Sequence, residues 1–380
     1  MEKQTEIAEK LKSLRRLMEE HRLDAVVLRR VASLAWLTGG AVTWVNTAAG
    51  EGAATAVVTR ERQIFLTNTI EAPRFIREEG LADLGWSVEA DPWYEQARSL
   101  MEYLPGGGAA PPAVGFDTPP GPAGDAAGMR VVPFGGEIAR LRARLLPVEQ
   151  ERARILGADC AAVMAEAVDR TEPGQGEFEI AAHLWERSQM RGIQAIVTLI
   201  ATDERIRQFR HPLPTARHLE RYAMLVLCGR RDGLVISITR LLHFGPVPEE
   251  ILALHRSVAD IDARMIAASM PGATLGEVFD AALAGYAHAG FPDAWKDHHQ
   301  GGVAAYEPRE YLAVPGNDDR LASGMLCAWN PSLAGAKSED TIITGPEGPV
   351  ILTEMPGWPL IDAGPAGSGT VVPRPDILVR

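Results

Sequence analysis

The stretch DHHQGGVAAYEPRE, Asp297 to Glu310, concentrates residues that can do chemistry: adjacent imidazoles at His298 and His299, an amide at Gln300, then Tyr306, Arg309 and Glu310. Gly301 and Gly302 would let a ligand approach the backbone closely. Such a set suits a metal site, a metal-free acid/base site, or the relic of one. If the segment is extended, His298 and His299 point to opposite faces and would hardly reach one ion together. No local spacing supplies further zinc ligands. No metal and no cofactor are therefore expected. Further along, Lys337 and Glu339 stand two apart, so on a strand they share a face and point toward one cavity. Plainer readings compete with each of these: surface ion pairs, glycines serving backbone geometry, Tyr306 packed beneath a solvated loop, and Trp329 in the core.

The elements that must position these groups belong to a chain of 380 residues, too long for one ordinary core, so two domains are expected. Hydrophobic residues at 46% and charged residues at 23% fit a folded protein rather than a disordered one. A formal charge of −12 argues against nucleic-acid or anionic-membrane partners. Cys160, Cys228 and Cys327 form no C-x-x-C pair, which speaks against a disulfide framework and a thiolate zinc site. The charged opening MEKQTEIAEKLKSLRRL has no apolar signal-peptide core, and a cytoplasmic protein is expected.

Ile7, Leu11, Leu14 and Met18 recur at helical spacing and predict an amphipathic first helix. DAVVL reads as a buried strand, and GAATAVVT with QIFLTN as a hairpin. The Gly/Pro/Ala-rich stretch from Leu104 should hide one short strand at 113–116. Pro147 suits a helix start, which places the domain boundary near Arg144: residues 1–144 and 145–380. The second domain carries a faint repeat, AEAVDRTEPGQGEFEIAAHLWERSQMRG against ARMIAASMPGATLGEVFDAALAGYAHAG. Both pass from a helix through Pro-Gly to a second helix that closes on Gly. Strands lie between the copies, so two related helix–hairpin halves are expected.

LPVEQERARILG, RHPLPT, GLVISITR, HHQGG…YEPRE and SEDTIIT, in that order, resemble the creatinase, prolidase and methionine aminopeptidase family over nearly the whole chain. The resemblance implies an α+β protein, with a pita-bread C-terminal domain behind a smaller α/β creatinase-type N-terminal domain. Family peptidases hold two divalent ions with two Asp, one His and two Glu, a set that generates hydroxide near neutral pH. Carried onto this sequence, those positions fall on Val226, Ser237, Gly302, Asn330 and Glu339. Only Glu339 can bridge ions, so the dinuclear site is read as lost.

Creatinase, in the same family, works without metal through a histidine beside glutamates. The resemblance places that histidine at His211 in RHPLPT and matches Glu339 to one of the glutamates. The implied function is a metal-independent, creatinase-like hydrolase or lyase acting on a C–N bond of a small anionic or amino-acid-like substrate. His211, Glu339 and Glu310 are the expected catalytic residues. Arg309 falls where peptidase relatives carry a substrate-facing histidine; with Lys337, Asn330, Ser237, His298, His299, Gln300 and Tyr306 it completes the expected substrate contacts. Creatinase relatives cover a partner's site with the N-terminal domain, which makes Trp44 and Asn46 candidate cross-subunit contacts of a homodimer. Arg74 suits either an ion pair or an anion clamp. The alternatives are an Xaa-Pro dipeptidase-type metallopeptidase and a catalytically inactive binding module.

Overall fold

The computed structural model describes residues 2–105, 110–121, 126–364 and 371–380, and the chain divides into two units, Met1–Arg142 and Ala143–Arg380. The division falls two residues before the boundary predicted from Pro147. The Gly/Pro/Ala-rich stretch from Leu104 lies partly outside the described residues.

In the first unit, α1 (Glu2–Glu20) buries Ile7, Leu11, Leu14 and Met18, the stripe its sequence predicts. β1 (Ala25–Arg30), α2 (Val31–Leu37), β2 (Glu51–Thr59), β3 (Gln63–Asn68), α3 (Ala72–Arg77), β4 (Ser87–Asp91), β5 (Ala113–Phe116), β6 (Arg130–Pro133) and α4 (Gly135–Arg142) follow. The six strands form one sheet in the order β4-β3-β2-β1-β5-β6. The hairpin expected around residues 60–62 is the antiparallel pair β2–β3, and the short strand expected at 113–116 lies parallel to β1. Val27, Val57, Ile64 and Val114 fill its core. Arg74 pairs with Glu71 at 2.8 Å, the ion-pair reading of that residue.

The second unit opens with α5 (Pro147–Asp169), Pro147 supplying a pre-set φ in the first turn. After it come α6 (Glu177–Gln189), β7 (Gln194–Thr202), α7 (Arg205–Gln208), β8 (Tyr222–Arg231) and β9 (Leu234–His243). A second series begins with α8 (Glu249–Ala268) and α9 (Leu275–His288). It continues through β10 (Gly301–Ala304), β11 (Tyr311–Leu312), β12 (Leu326–Trp329), β13 (Ser332–Leu333), β14 (Ala336–Lys337), β15 (Asp340–Ile343) and β16 (Val350–Ile351), and ends with β17 (Leu360–Ala363), β18 (Val372–Pro375) and β19 (Leu378–Val379).

The predicted repeat has a structural counterpart. A helix pair precedes the antiparallel run β7-β8-β9 in one half, and a second pair precedes β10-β12-β15 in the other. The halves meet where β9 faces β15. There Ser237 N donates to Thr341 Oγ1 at 2.9 Å; Thr341 Oγ1 donates to Ser237 O at 2.9 Å; Thr239 N donates to Glu339 O at 3.1 Å. Because side chains alternate along a strand, Ser237 and Thr239 share one face of β9, with Val226 and Cys228 opposite them on β8.

Beneath this seam lies a fully buried ion network. Arg240 Nη2 reaches Asp340 Oδ1 at 2.9 Å, and Arg374 bridges Asp340 Oδ2 at 2.5 Å and Asp262 Oδ2 at 2.7 Å. No helix among the described residues is long and apolar enough to cross a membrane.

Candidate active site

Three segments bring the site together. The loop carrying His211 follows α7 and is pinned by Glu177, a buried carboxylate at the start of α6. Glu177 pairs with Arg205 and accepts from Thr215 N at 2.8 Å and Thr215 Oγ1 at 2.7 Å. Ile200 N donates to Pro212 O at 3.1 Å, tying the same loop to β7. The segment before β10 brings in His298 and His299, with Asp297 3.6 Å from Arg210. The β13–β14 hairpin supplies Ser332 and Lys337 as a directly paired register position.

His211 and His298 meet Nε2 to Nε2 at 3.1 Å, and Ser332 Oγ lies 3.2 Å from His298 Nδ1. The His299 ring centroid is 4.6 Å from that of His298 and 5.8 Å from that of His211. This corrects the expectation that His298 and His299 point apart. His298 itself is extended (φ −157°, ψ 146°), but the chain bends at it on leaving the short 3-10 turn Ala294–Asp297 and joins β10 only at Gly301, so the pair lies outside a regular strand.

Burial, reinforced by the positive charge of Lys337 and, at His211 and His299, of Arg309, lowers all three imidazoles. His298 is held down to about 2 and His299 to about 4, and His211, the outermost, is lowered as well. Glu339 opposes the effect without overcoming it. Three neutral imidazoles therefore face each other.

Next to them, Glu339 is 3% exposed and fully engaged. Lys337 Nζ lies 2.7 Å from Oε2, Thr239 Oγ1 donates to Oε2 at 2.6 Å, and Arg309 Nη2 donates to Oε1 at 3.0 Å. Burial pushes this carboxyl up, but the charges of Lys337 and Arg309 and the hydrogen bonds from Lys337 and Thr239 outweigh it and hold the group at about 2. Arg309 Nη1 also approaches Ser237 Oγ at 3.4 Å, and Ser237 Oγ sits 3.2 Å from Cys228 Sγ. Three buried polar atoms of the candidate substrate-binding set lack a hydrogen-bond partner: Arg309 Nε, Asn330 Oδ1 and His299 Nδ1.

Three candidates take structural roles instead. Gln300 accepts from Tyr286 OH at 2.7 Å and donates to Trp295 O and His298 O, so its amide is spent on holding the histidine segment. Tyr306 OH donates to Glu149 Oε1 at 2.5 Å on α5. Glu310 accepts from Tyr306 N at 3.0 Å, closing the turn between β10 and β11. Polar type and proximity in sequence suggested all three; in the structure their hydrogen bonds tie them to the surrounding chain. Gly301 and Gly302 serve the backbone. Gly301 has φ +107°, and a Cβ at Gly302 would lie 2.2 Å from Tyr311 O. In the first unit, Trp44 is half-buried, and exposed Asn46 accepts from Ala48 N at 3.0 Å in a local turn.

Thr239 and Ser332 were missed from sequence. Thr239 was recoverable, since it shares a strand face with Ser237. Ser332 had no local signal, because only the β13–β14 hairpin carries it to His298.

Comparison with known proteins places this geometry. The profile described as Metallopeptidase family M24 matches residues 151–346, and that of the Creatinase/Prolidase N-terminal domain matches residues 10–143. The chain belongs to metallopeptidase family M24. Its fold is accordingly a creatinase-type N-terminal domain followed by a pita-bread domain. Among curated proteins, the putative dipeptidase YkvY of Bacillus subtilis is 25% identical over 193 residues, 48% of this chain and 53% of the relative. That match thus spans about half the relative's length.

Many solved structures share the fold of this family member, among them the following two. The Xaa-Pro dipeptidase from Bacillus anthracis superposes with a TM-score of 0.77 at 16% identity, covering 98% of this chain and 100% of its own. The N-terminal domain of FACT complex subunit SPT16 from chickpea gives 0.73 at 13% identity, with 93% and 97% covered. The curated match and the first of these structures carry dipeptidase names.

The family's ion pair does not fit the residues present. Val226 and Gly302 offer no donor atom, and Ser237 and Asn330 are neutral. Glu339, the single carboxylate left, is already enclosed by an ammonium, a guanidinium and a hydroxyl.

Proposed function

We propose that this peptidase-like chain hydrolyses a C–N bond of a small, anionic, amino-acid-like molecule without the family's dinuclear pair. The observation that carries the reading is the contact of two neutral imidazoles, His211 and His298, beside a buried Arg309–Glu339–Lys337 cluster of net positive charge. His211, the more exposed of the pair, is the proton carrier: it takes a proton from the attacking water and returns it to the leaving nitrogen. His298, fixed by Ser332, orients it.

Glu339 does not carry protons in this scheme. With its pKa near 2 and its oxygens occupied, it is a positioning residue that holds Arg309 and Lys337 in place. The unpartnered Arg309 Nε suits a substrate carboxylate, and Asn330 Oδ1 suits a substrate N–H. Ser237 completes the polar lining. Burying His298 beside Glu339 and Lys337 is costly and serves proton transfer better than it serves a binding-only surface.

The test is turnover of N-substituted amino acids by chelator-treated protein. Activity that survives chelation and vanishes in His211→Ala supports the reading. Activity that appears only with added divalent metal overturns it.

The second reading is an Xaa-Pro dipeptidase, favoured by the names of the relatives just described. Metal-dependent cleavage of a proline dipeptide by the native chain would establish it. A cytoplasmic homodimer with Trp44 and Asn46 near the partner's site belongs to the same proposal; a strictly monomeric mass by light scattering counts against it.

A further inference from the structure

We infer that His211, His298 and His299 form a binding site for a single transition-metal ion of the zinc type, and that filling it removes His211 and His298 from proton transfer. This site is distinct from the family's carboxylate-bridged pair and goes beyond the hydrolase reading; only its inhibitory consequence rests on that reading.

The geometry is the first argument. One nitrogen from each ring lies within 4.8 Å of those of the other two. A tetrahedral ion with Zn–N bonds of about 2.0–2.1 Å needs ligand nitrogens roughly 3.3 Å apart. The His211–His298 pair already meets this at 3.1 Å, and the third ring closes the remaining gap by side-chain rotation. An ion between His211 and His298 would replace the present Nε2–Nε2 contact, so metal and proton transfer compete for the same atoms.

The second argument is the surroundings. Ser332 Oγ at His298 Nδ1 fixes the ring so that Nε2 faces the cluster, the outer hydrogen bond typical of metal-bound imidazoles. His299 Nδ1 is buried without a partner.

Charge sets the character of the site. Lys337 and Arg309 oppose a dication and Glu339 offsets only one of them. The ion therefore binds most tightly together with an anion in its fourth position. An all-imidazole donor set selects Zn²⁺, Co²⁺ and Ni²⁺ over Mg²⁺ and Ca²⁺.

The experiment is a titration of chelator-treated full-length protein with Zn²⁺ by calorimetry, and with Co²⁺ by visible absorption. One ion per chain with four-coordinate Co²⁺ bands is expected, with affinity falling at least tenfold in both His298→Ala and His299→Ala and falling less in Glu339→Gln, which removes an offsetting charge but no ligand. Circular dichroism checks that each variant folds, and the two histidine variants guard against loss of either one. No binding by the native chain, two ions per chain, binding that persists in both histidine variants, or loss in Glu339→Gln alone would overturn the inference. No substrate enters this measurement, so its failure leaves the hydrolase reading untouched. Conversely, inactivity of the chelator-treated protein would not count against metal binding.

Discussion

His211 and His298 touch Nε2 to Nε2 at 3.1 Å although they lie 87 residues apart. Both rings are neutral, so one nitrogen carries the proton and the other offers a lone pair. His211→Ala breaks the contact and removes the proposed proton carrier. The expected loss in kcat is about 100- to 10,000-fold, with the fold intact by circular dichroism. An unchanged kcat would exclude His211 from the chemistry.

Arg309→Lys keeps the charge but not the planar fork that spans Glu339 and Ser237. Binding of small carboxylates, read as ligand-induced thermal shift, should weaken about tenfold. Preference for neutral or cationic ligands in the native chain would contradict the anion assignment.

Asp340 lies next to Glu339 but on the opposite strand face, where it links Arg240 and Arg374. Asp340→Ala leaves two guanidinium groups buried and short of a partner. Denaturant unfolding should show a loss of about 3–5 kcal/mol in the second unit. A loss under about 1 kcal/mol would mean that water or rearrangement compensates the network.

His255 predicts a dependence on pH away from the site. Burial lowers its pKa below 6.5; Asp376 and the Pro375 carbonyl oppose this, while Arg374 and Arg256 add to it. Its Nε2 lies 3.0 Å from Pro375 O. The folded state thus binds fewer protons here than the unfolded state. The contribution to stability is complete above about pH 6.5 and is lost as pH falls toward the lower folded value. His255→Gln should lose less Tm than the native chain between about pH 7 and pH 5; equal losses would assign the acid response to other groups.

The fold was legible because its signals are local. The stripe of α1, the β2–β3 hairpin and the Pro147 helix start each follow from spacing within a few residues. The repeat of helix pairs was legible as well, because Pro-Gly and the closing glycines mark turns at matching places. At the site, Lys337 and Glu339 could be paired from strand alternation alone. His298 and His299 were misread because alternation was applied to a bend. Gln300, Tyr306 and Glu310 looked like site residues because sequence shows which groups are polar but not which backbone atoms need them. Asp340 illustrates the same limit from the other side: the motif SEDTIIT drew attention to Glu339, while the partners of Asp340 sit at Arg240, Asp262 and Arg374, far away along the chain.

The seam between β9 and β15 has a mechanical consequence. Few backbone hydrogen bonds cross it, and the side chains of Thr239, Glu339, Ser237 and Arg309 do much of the fastening. A molecule seated against Ser237 from one half and Arg309 from the other would rivet the two copies of the repeat together. Amide protons along β9 and β15 would then exchange more slowly in the complex, and unfolding of the two halves would merge into a single sharper transition.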